Sequence, residues 1–401
     1  MMENGYKETE IGLIPIDWKL RRVSEVANIK YGKQKPKSEG QYSVIGSSGV
    51  YAYTSDPLID FPTLIIGRKG NAGTVQLALD PCWPADTTFY LEWLTNEINV
   101  QFLYHFMSAH KLSGEHAKTT LPSIQRQDLE NYFFPTPTLD EQSKIVVLMN
   151  KIQKAIAQQE QIIAKTKELK RSLMQRLFTH GLRGEELKET EIGLMPKSWD
   201  LKKLEDFVSK TSQKDMTRSP SQQFKYIDVS SVSNESLKII DYKIYKGDEA
   251  PSRARKIIKR DDVLVATVRP TLKRIAFVGN EFDEEICSTA FCVLRSSTDL
   301  SSRYLYFCAQ RDSFIENLGK LQRGASYPAV TDGNIKDQLI PFPKDITEQN
   351  EIADILWRIN EKIEQETNKQ KSLKELFKTM LQLLMTGQVR VKDIDFGDIH
   401  V

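Results

Sequence analysis

The sequence predicts an α+β fold in which two pseudo-symmetric globular domains are separated by two long antiparallel coiled-coil helices. Three observations lead to this prediction. The 401-residue chain repeats itself at offsets of 181 and 206 residues, strand-like segments fill the variable part of each copy, and a long heptad-patterned stretch closes each copy. A repeat this long indicates a duplicated domain pair and not a solenoid, whose units are about 20–50 residues long.

The duplication is clearest in two short boxes. Residues 7–20 read KETEIGLIPIDWKL and residues 188–201 read KETEIGLMPKSWDL, with ten of fourteen positions identical. Further along the chain, residues 121–137 match residues 327–343 around their prolines. The sequences between the boxes diverge, as expected if one scaffold carries two different binding surfaces.

The diverging regions still share a strand pattern. Each contains three apolar or alternating runs bounded by Gly, Pro or polar residues, which is typical of β-strands. These predicted strands are residues 61–66, 74–79 and 88–93 in the first copy, and residues 262–266, 274–278 and 290–294 in the second.

Two uninterrupted helices are predicted at residues 140–180 and 346–386. Each follows a Pro-x-Pro element, contains no Pro or Gly, and ends beside a glycine, Gly181 or Gly387. At a rise of 1.5 Å per residue, about 40 residues make a rod of about 60 Å.

The apolar residues of both helices recur with a seven-residue period. One row in each helix begins at Ile145 or Ile352, and we place a second row three residues later, as in the a and d positions of a coiled coil. Polar residues interrupt the rows near mid-helix, which costs stability but specifies partner and register. The predicted helix-pairing residues are Ile145, Leu148, Ile152, Ile162, Leu169, Leu173, Ile352, Ile355, Ile359, Leu373, Leu376 and Met380.

Two arrangements satisfy these apolar stripes. The helices pair with each other, or each packs separately on its own globular domain. An antiparallel pair is favoured because the chain alternates globule, rod, globule and rod. Such a pair brings the box at residues 7–20 beside the end of the second helix, where it occupies the position that its copy occupies after the first helix.

The predicted organisation therefore has five parts. They are a first globular domain (1–139), a central helix (140–180), a second globular domain (181–345), a distal helix (346–386) and a C-terminal tail (387–401).

Composition excludes several classes of protein. Apolar residues make up 40% and charged residues 27%, which is typical of a globular chain. No apolar run approaches the roughly 18 residues of a membrane span, and the polar N-terminus is not that of a signal peptide. The four cysteines contain no CxxC pair, so we expect reduced core thiols in a cytoplasmic protein.

The charge of +2 for the whole chain conceals two basic windows. Residues 19–37 carry seven basic side chains against one acidic, and residues 251–274 carry eight against two. Basic patches favour DNA, although solvated surface charge is an alternative explanation. The candidate DNA-binding residues are Lys33, Arg68 and Lys69 in the first copy, and Arg253, Arg255, Arg269, Lys273, Arg274 and Arg323 in the second.

Catalytic and cofactor motifs are missing from the sequence. The glycine-rich stretch at residues 67–73 lacks the order of a phosphate-binding loop and precedes a predicted strand, so we expect a tight turn that presents Arg68 and Lys69. The sequence contains no HExxH, no GxSxG, no zinc-spaced Cys/His cluster and no Asn-Pro-Pro-aromatic box. We therefore predict no catalytic residue and no metal site.

The order of these elements resembles the specificity (S) subunit of type I restriction–modification systems. The resemblance rests on the duplicated TEIGL-x-P-x-x-W box, the Ile-Ile-Gly-Arg-x-Gly turn at residues 65–70, and the Pro-x-Pro and Glu-Gln start of both long helices. It covers essentially the whole chain. By this resemblance, Gly12, Pro15 and Trp18, with Gly193, Pro196 and Trp199, have structural or subunit-facing roles.

The resemblance implies a non-catalytic function. Two target-recognition domains would each read one half of an asymmetric bipartite DNA sequence, and the helices would set the spacing and hold methyltransferase subunits, two in number. Restriction subunits would complete the complex. S-adenosylmethionine, ATP and magnesium would be bound by those other subunits and not by this chain.

Three alternatives differ in partner or chemistry. A specificity subunit of a type IIB or related enzyme would use similar modules with a fused nuclease–methyltransferase. A coiled-coil scaffold would show no preference among DNA sequences. A self-sufficient methyltransferase or nuclease would act as the purified chain alone, which the missing motifs disfavour.

Overall fold

The computed structural model describes residues 5–110, 112, 123–324, 328–392 and 394. The chain divides into two compact units, and each combines distant parts of the sequence. The first unit contains Met1–Gln161 and Asn368–Val401, and the second contains Ile162–Thr367. Each unit thus holds one half of both long helices and a globular part, which we call its head.

The first head is built from short strands and three short helices. The strands are β1 (Tyr6–Thr9), β2 (Gly12–Pro15), β3 (Lys19–Arg22), β4 (Ala27–Tyr31), β5 (Tyr42–Gly46), β6 (Gly49–Thr54), β7 (Thr63–Gly67), β8 (Val75–Ala78), β9 (Cys82–Pro84), β10 (Thr88–Trp93) and β11 (Phe133–Thr136). The helices are α1 (Val23–Val26), α2 (Val100–Ala109) and α3 (Arg126–Glu130), followed by the first long helix, α4 (Leu139–His180).

The second head repeats this plan. Its strands are β12 (Leu187–Thr190), β13 (Gly193–Pro196), β14 (Asp200–Lys203), β15 (Val208–Ser209), β16 (Gln223–Ile227), β17 (Lys243–Lys246), β18 (Ala254–Ile257), β19 (Val263–Ala266), β20 (Ile275–Phe277), β21 (Ile286–Ser288), β22 (Phe291–Ser296) and β23 (Leu339–Phe342). Its helices are α5 (Ser302–Gln310), α6 (Asp312–Leu321) and α7 (Asp332–Lys336), followed by the second long helix, α8 (Ile346–Met385).

The sheets show that the heads share one scaffold although their sequences diverge. The main sheet has the order β4-β10-β7-β8 in the first head and β15-β22-β19-β20 in the second. A second sheet in each head contains one parallel pair, β5 with β9 or β16 with β21. The six strands predicted from apolar patterning are confirmed as β7, β8, β10, β19, β20 and β22. The fold is therefore α+β with two pseudo-symmetric heads, as predicted.

Both long helices exist, and they pair within each unit. In the first unit, Ile145 and Met149 of α4 share a buried core with Leu384 of α8, while Glu160 lies 3.1 Å from the Lys374 ammonium. Because low numbers on α4 meet high numbers on α8, the pair is antiparallel. In the second unit, α4 residues 173–178 share a core with α8 residues 352–357.

The predicted heptad rows are half right. The row that begins at Ile145 or Ile352 faces the buried side, but Ile162, Leu169 and Leu376 of the other row are 43%, 57% and 46% exposed. The buried second row begins four residues after the first and not three. Its members are Met149, Ile156, Ile163, Lys170 and Leu177 in α4, and Leu356, Ile363, Gln370, Phe377 and Leu384 in α8, all buried or half-buried.

The second row cannot be placed from one helix alone, because neighbouring positions are equally apolar. Val147, Leu148 and Met149 are all apolar, so spacing along a single helix does not distinguish steps of three and four. The partner helix makes that choice. Among the polar interruptions, Gln159 and Glu366 are buried in the first row, whereas Lys362 and Lys369 are exposed.

The duplicated boxes are structural elements at helix ends. Residues 7–20 form the hairpin of β1 and β2 and bury Trp18. In the same unit, the Tyr6 hydroxyl donates to the Gly387 carbonyl at 2.9 Å, just beyond α8. Gly387 has φ +69°, and a Cβ there would lie 2.4 Å from Pro15 Cγ. The prediction that this box lies beside the end of the second helix is confirmed.

Among the residues that the structure describes, no helix is long and apolar enough to cross a membrane. All four cysteines are buried and free, as expected for core thiols. The linear domain boundaries at residues 139, 180, 345 and 386 stay predictions, and most of the predicted C-terminal tail beyond Lys392 lies outside the described residues.

Candidate nucleic-acid interface

In each head, one end of the main sheet carries loops that are joined side by side by backbone hydrogen bonds. We call residues 32–33, 67–74, 85–87 and 123–124 the first loop edge. Residues 253, 266–272, 288–290, 323 and 328–330 form the second loop edge. Both edges contain candidate DNA-binding residues predicted from the sequence.

The first loop edge is held in place by hydrogen bonds between backbone groups. The Lys33 amide donates to the Pro84 carbonyl at 3.0 Å, and the Arg68 amide donates to the Thr87 carbonyl at 2.8 Å. The Arg68 carbonyl accepts from the Ile124 amide at 3.0 Å. These bonds hold the loops on the rigid sheet, so their side chains start from a fixed backbone.

The second loop edge repeats the pattern with other residues. The Thr267 amide donates to the Ala290 carbonyl at 2.8 Å, and the Thr267 carbonyl accepts from the Val330 amide at 2.9 Å. The Thr289 amide donates to the Arg253 carbonyl at 2.9 Å. Thr267 therefore occupies the backbone position that Arg68 occupies in the first head.

Three further backbone hydrogen bonds place Arg269 and Arg323 on the second edge. The Arg269 amide donates to the Pro328 carbonyl at 2.7 Å. Arg323 and Ala329 exchange two backbone bonds of 3.0 Å, and Ala329 also bridges Val268.

Six of the nine predicted residues lie on these edges with outward-facing or half-buried side chains. Lys33 and Lys69 are exposed and Arg68 is half-buried on the first edge, while Arg253, Arg269 and Arg323 are exposed on the second. An edge of exposed cations on ordered loops fits a polyanion, and guanidinium groups also suit base edges.

Arg68 rests on an aromatic platform that the sequence did not reveal. Its guanidinium carbon lies 5.3 Å from the centroid of the Tyr31 ring and 6.0 Å from that of Phe89. Its Nε is buried and has no hydrogen-bond partner among the described residues. Cation–π contact pre-orders the long side chain, and Tyr31 itself is 48% exposed. In the sequence, the only sign that Tyr31 belongs to this site is its position next to Gly32 and Lys33 in the basic window at residues 19–37.

Three of the candidates, Arg255, Lys273 and Arg274, bind other groups of the second head. Arg255 forms an ion pair with Asp215, and Lys273 lies 2.7 Å from Asp312. Arg274 donates to the Val229 carbonyl at 2.9 Å. Hydrogen bonding from Lys273 lowers the pKa of Asp312. These side chains hold loops together, and we do not include them in the contact set proposed below.

The first edge also contains small polar side chains that the charge pattern missed. Asn71 Nδ2 donates to Ser48 Oγ at 3.1 Å, and Thr74 Oγ1 donates to the Ser47 carbonyl at 2.8 Å. These bonds tie the turn between β5 and β6 to the loop that carries Arg68. Amide and hydroxyl groups beside cations are typical of surfaces that contact bases and phosphates.

Nothing in the described part of the chain groups three or more His, Cys, Asp or Glu side chains as a metal site would. The cysteines are shielded rather than activated. Burial raises the pKa of Cys82 to about 11 and that of Cys308 to about 12, so both thiols stay protonated near neutral pH.

Comparison with known proteins agrees with this architecture. A family model described as the type I restriction modification DNA specificity domain matches residues 15–168 and 196–375. The type I restriction enzyme MjaVIII specificity subunit from Methanocaldococcus jannaschii is 23% identical, and the match covers 98% of each chain.

Two solved structures share the fold over nearly the whole chain. The type I restriction–modification system S subunit from M. genitalium is 15% identical, covers 96% of this chain and 98% of its own, and has a TM-score of 0.61. A chain from a structural study of complex assembly and conformational transition of the type I R-M system is 16% identical. It covers 94% of this chain and 99% of its own, with a TM-score of 0.57.

Proposed function

The chain belongs to the type I restriction modification DNA specificity family, and from this premise we propose that it reads an asymmetric bipartite DNA sequence for a type I restriction–modification complex. Residues 1–139 and 181–345 act as the two target-recognition domains, and each reads one half-site. The proposal rests on the two loop edges, which have the same backbone hydrogen-bonding pattern but different side chains. A shared scaffold with different reading residues is what two different half-sites require.

The six edge residues divide the work. Arg68 on its Tyr31 platform is suited to a base edge, because its orientation is fixed before DNA arrives. Lys33 and Lys69 are suited to phosphates, which a flexible ammonium contacts without sequence preference. Arg253, Arg269 and Arg323 provide the corresponding cations of the second domain.

We further propose that the chain is not catalytic and binds no cofactor. Methyl transfer and cleavage belong to separate subunits, which bind S-adenosylmethionine, ATP and magnesium. The buried thiols and the missing catalytic motifs support this division. The type IIB alternative is not retained, since the full-length relative reported above carries a type I name.

The long helices are the proposed attachment site for two methyltransferase subunits, with restriction subunits completing the complex. Three apolar helix residues that we expected to pair internally, Ile162, Leu169 and Leu376, are exposed instead. We propose that the methyltransferase subunits cover these side chains, since removing apolar surface from water is favourable. Native mass spectrometry of the co-expressed complex tests the stoichiometry, with two methyltransferase subunits expected per chain.

A methylome comparison tests the reading function. Single-molecule sequencing of cells with the gene intact, deleted and restored should show one split motif with a fixed gap that loses methylation on deletion and regains it on complementation. A complementing gene with an early stop codon is the control. A split motif that stays methylated after deletion would contradict the proposal.

A further inference from the structure

The turns that carry Arg68 and Arg269 are the same turn in the two heads. The Gly67 amide donates to the Thr74 carbonyl at 2.8 Å, and the Ala266 amide donates to the Arg274 carbonyl at 3.0 Å. Each turn joins two neighbouring antiparallel strands of the main sheet, β7 to β8 or β19 to β20. The second turn is one residue longer, and each contains two positions with left-handed backbone.

The residues at those left-handed positions differ between the heads. The first head has glycines, Gly70 at φ +75° and Gly73 at φ +80°. The second has Arg269 at φ +44° and Lys273 at φ +54°. A side chain with a Cβ is strained in this region, and only Gly, Asn and Asp adopt it readily. The second head therefore holds two basic side chains where its own duplicate uses the unstrained residue.

Lys273 makes an ion pair with the rest of the second head. Its ammonium lies 2.7 Å from Asp312, at the start of α6. The short turn Pro270–Leu272 packs on the same helix, where a Cβ at Gly319 would lie 3.3 Å from Thr271 Cγ2. Lys273 thus attaches the turn to the head.

Arg269 is strained twice over. It precedes Pro270, and a following proline favours an extended backbone over other conformations. The Arg269 side chain is exposed. The hydrogen bond from the Arg269 amide to the Pro328 carbonyl holds this residue beside the segment that pairs with Arg323. Strained residues held by a rigid surround are concentrated at functional sites.

We propose that Arg269 is a specificity-determining residue of the second recognition domain and that it reads a guanine in the major groove of the second half-site. Arginine is the side chain that pairs bidentately with guanine O6 and N7, and this is the commonest base-specific contact. Arg323, on a neighbouring segment of the same edge, contacts phosphate. This inference rests on the proposed reading function and adds a residue and a base to it.

The test replaces Arg269 with the residue that its duplicate uses. The complex of this chain with its modification subunits methylates a duplex library in which every position of both half-sites is varied. Arg269→Gly should relax discrimination at one G·C position of the second half-site by about 5- to 150-fold and leave the first half-site unchanged. It should also raise the melting temperature by about 2–4 °C, because the backbone strain is relieved.

Two further variants separate the possible causes. Glu284→Gly changes another exposed left-handed residue, at φ +59°, that is not on the second loop edge. It should raise the melting temperature similarly and leave base preference intact. Arg269→Lys should keep the salt dependence of binding and lose the preference for guanine, since an ammonium cannot pair bidentately.

Each outcome decides the question. Unchanged preference at every position of the second half-site in Arg269→Gly would overturn the inference, as would a fall in its melting temperature, which would make Arg269 a structural residue. If the wild-type complex itself shows no split-motif preference, the proposed reading function fails instead. The two failures are therefore distinguishable.

Discussion

Replacing Arg390 should destabilise the first unit far more than its exposure suggests. Arg390 lies just beyond α8 and donates to the Glu141 carboxylate through Nε at 2.7 Å and through a terminal nitrogen at 2.8 Å. It also forms two bonds, of 2.9 and 2.8 Å, to Asp17. Trp18 Nε1 donates to the same Glu141 at 3.1 Å. One guanidinium thus joins the box, the start of α4 and the segment after α8.

The magnitude follows from the burial of Glu141, which is 2% exposed. In Arg390→Ala, this carboxylate keeps the Trp18 bond but loses its compensating charge in a poorly solvated site. Removing one partner of a buried ion pair lowers the free energy of unfolding by about 3–5 kcal/mol. For a unit of this size, 1 kcal/mol corresponds to about 2–4 °C, so the melting temperature should fall by roughly 6–20 °C.

The duplicate junction of the second unit supplies the matched control. There Arg183 lies 3.0 Å from Asp345, and these side chains are 61% and 46% exposed. Solvent screens such a pair, so Arg183→Ala should cost at most about 1 kcal/mol. Differential scanning calorimetry of the full chain measures both variants.

A second variant keeps the reasoning testable. Glu141→Gln in the Arg390→Ala background removes the uncompensated charge and should restore part of the lost stability. Equal losses for Arg390→Ala and Arg183→Ala would refute the reasoning, and so would a failure of Glu141→Gln to recover any stability.

Three further predictions concern the core, the helices and the first loop edge. Burial lowers the pKa of His105 to about 4, so as the pH falls below about 6.5 the unfolded chain protonates this imidazole before the folded chain does. The free energy of unfolding should therefore drop by about 2 kcal/mol at pH 5. Urea titrations should show that His105→Phe lacks this part of the pH dependence. Ile163→Asp should destabilise the helix pair by more than about 3 kcal/mol, while the neighbouring Ile162→Asp should change the free energy of unfolding by about 0.5 kcal/mol or less. Thermal melts followed by circular dichroism measure this contrast, and similar losses in the two variants would contradict it. Arg68→Ala should relax one position of the first half-site by about 1–3 kcal/mol in the library methylation assay, and an effect confined to the second half-site would exclude Arg68 as a reader of the first.

Local sequence information predicted most of the fold. Strand periodicity located the six central strands, and long stretches without Pro or Gly gave both helices within one residue of their observed bounds. Duplication predicted that the box at residues 7–20 lies beside the end of the second helix. These features are set by short-range sterics, by hydrophobic patterning and by repetition, all of which a single sequence displays.

Tertiary structure decided which helix rows are buried. The row of Ile145 is visible in the sequence, but steps of three and four residues are equally apolar beside it. The facing helix selects Met149 and Ile163 for the buried side and leaves Ile162 exposed. A helix offers several adjacent apolar faces, and only the partner determines which one is covered.

Tertiary structure also decided which cations of the basic windows face outward. The concentration of positive charge at residues 19–37 and 251–274 is visible in the sequence. It did not reveal that Arg255 would meet Asp215, forty positions earlier, or that Arg68 would lie on the Tyr31 ring. Charge is a property of composition and is read directly, whereas an ion pair or a cation–π contact requires the fold to bring distant residues within a few ångströms.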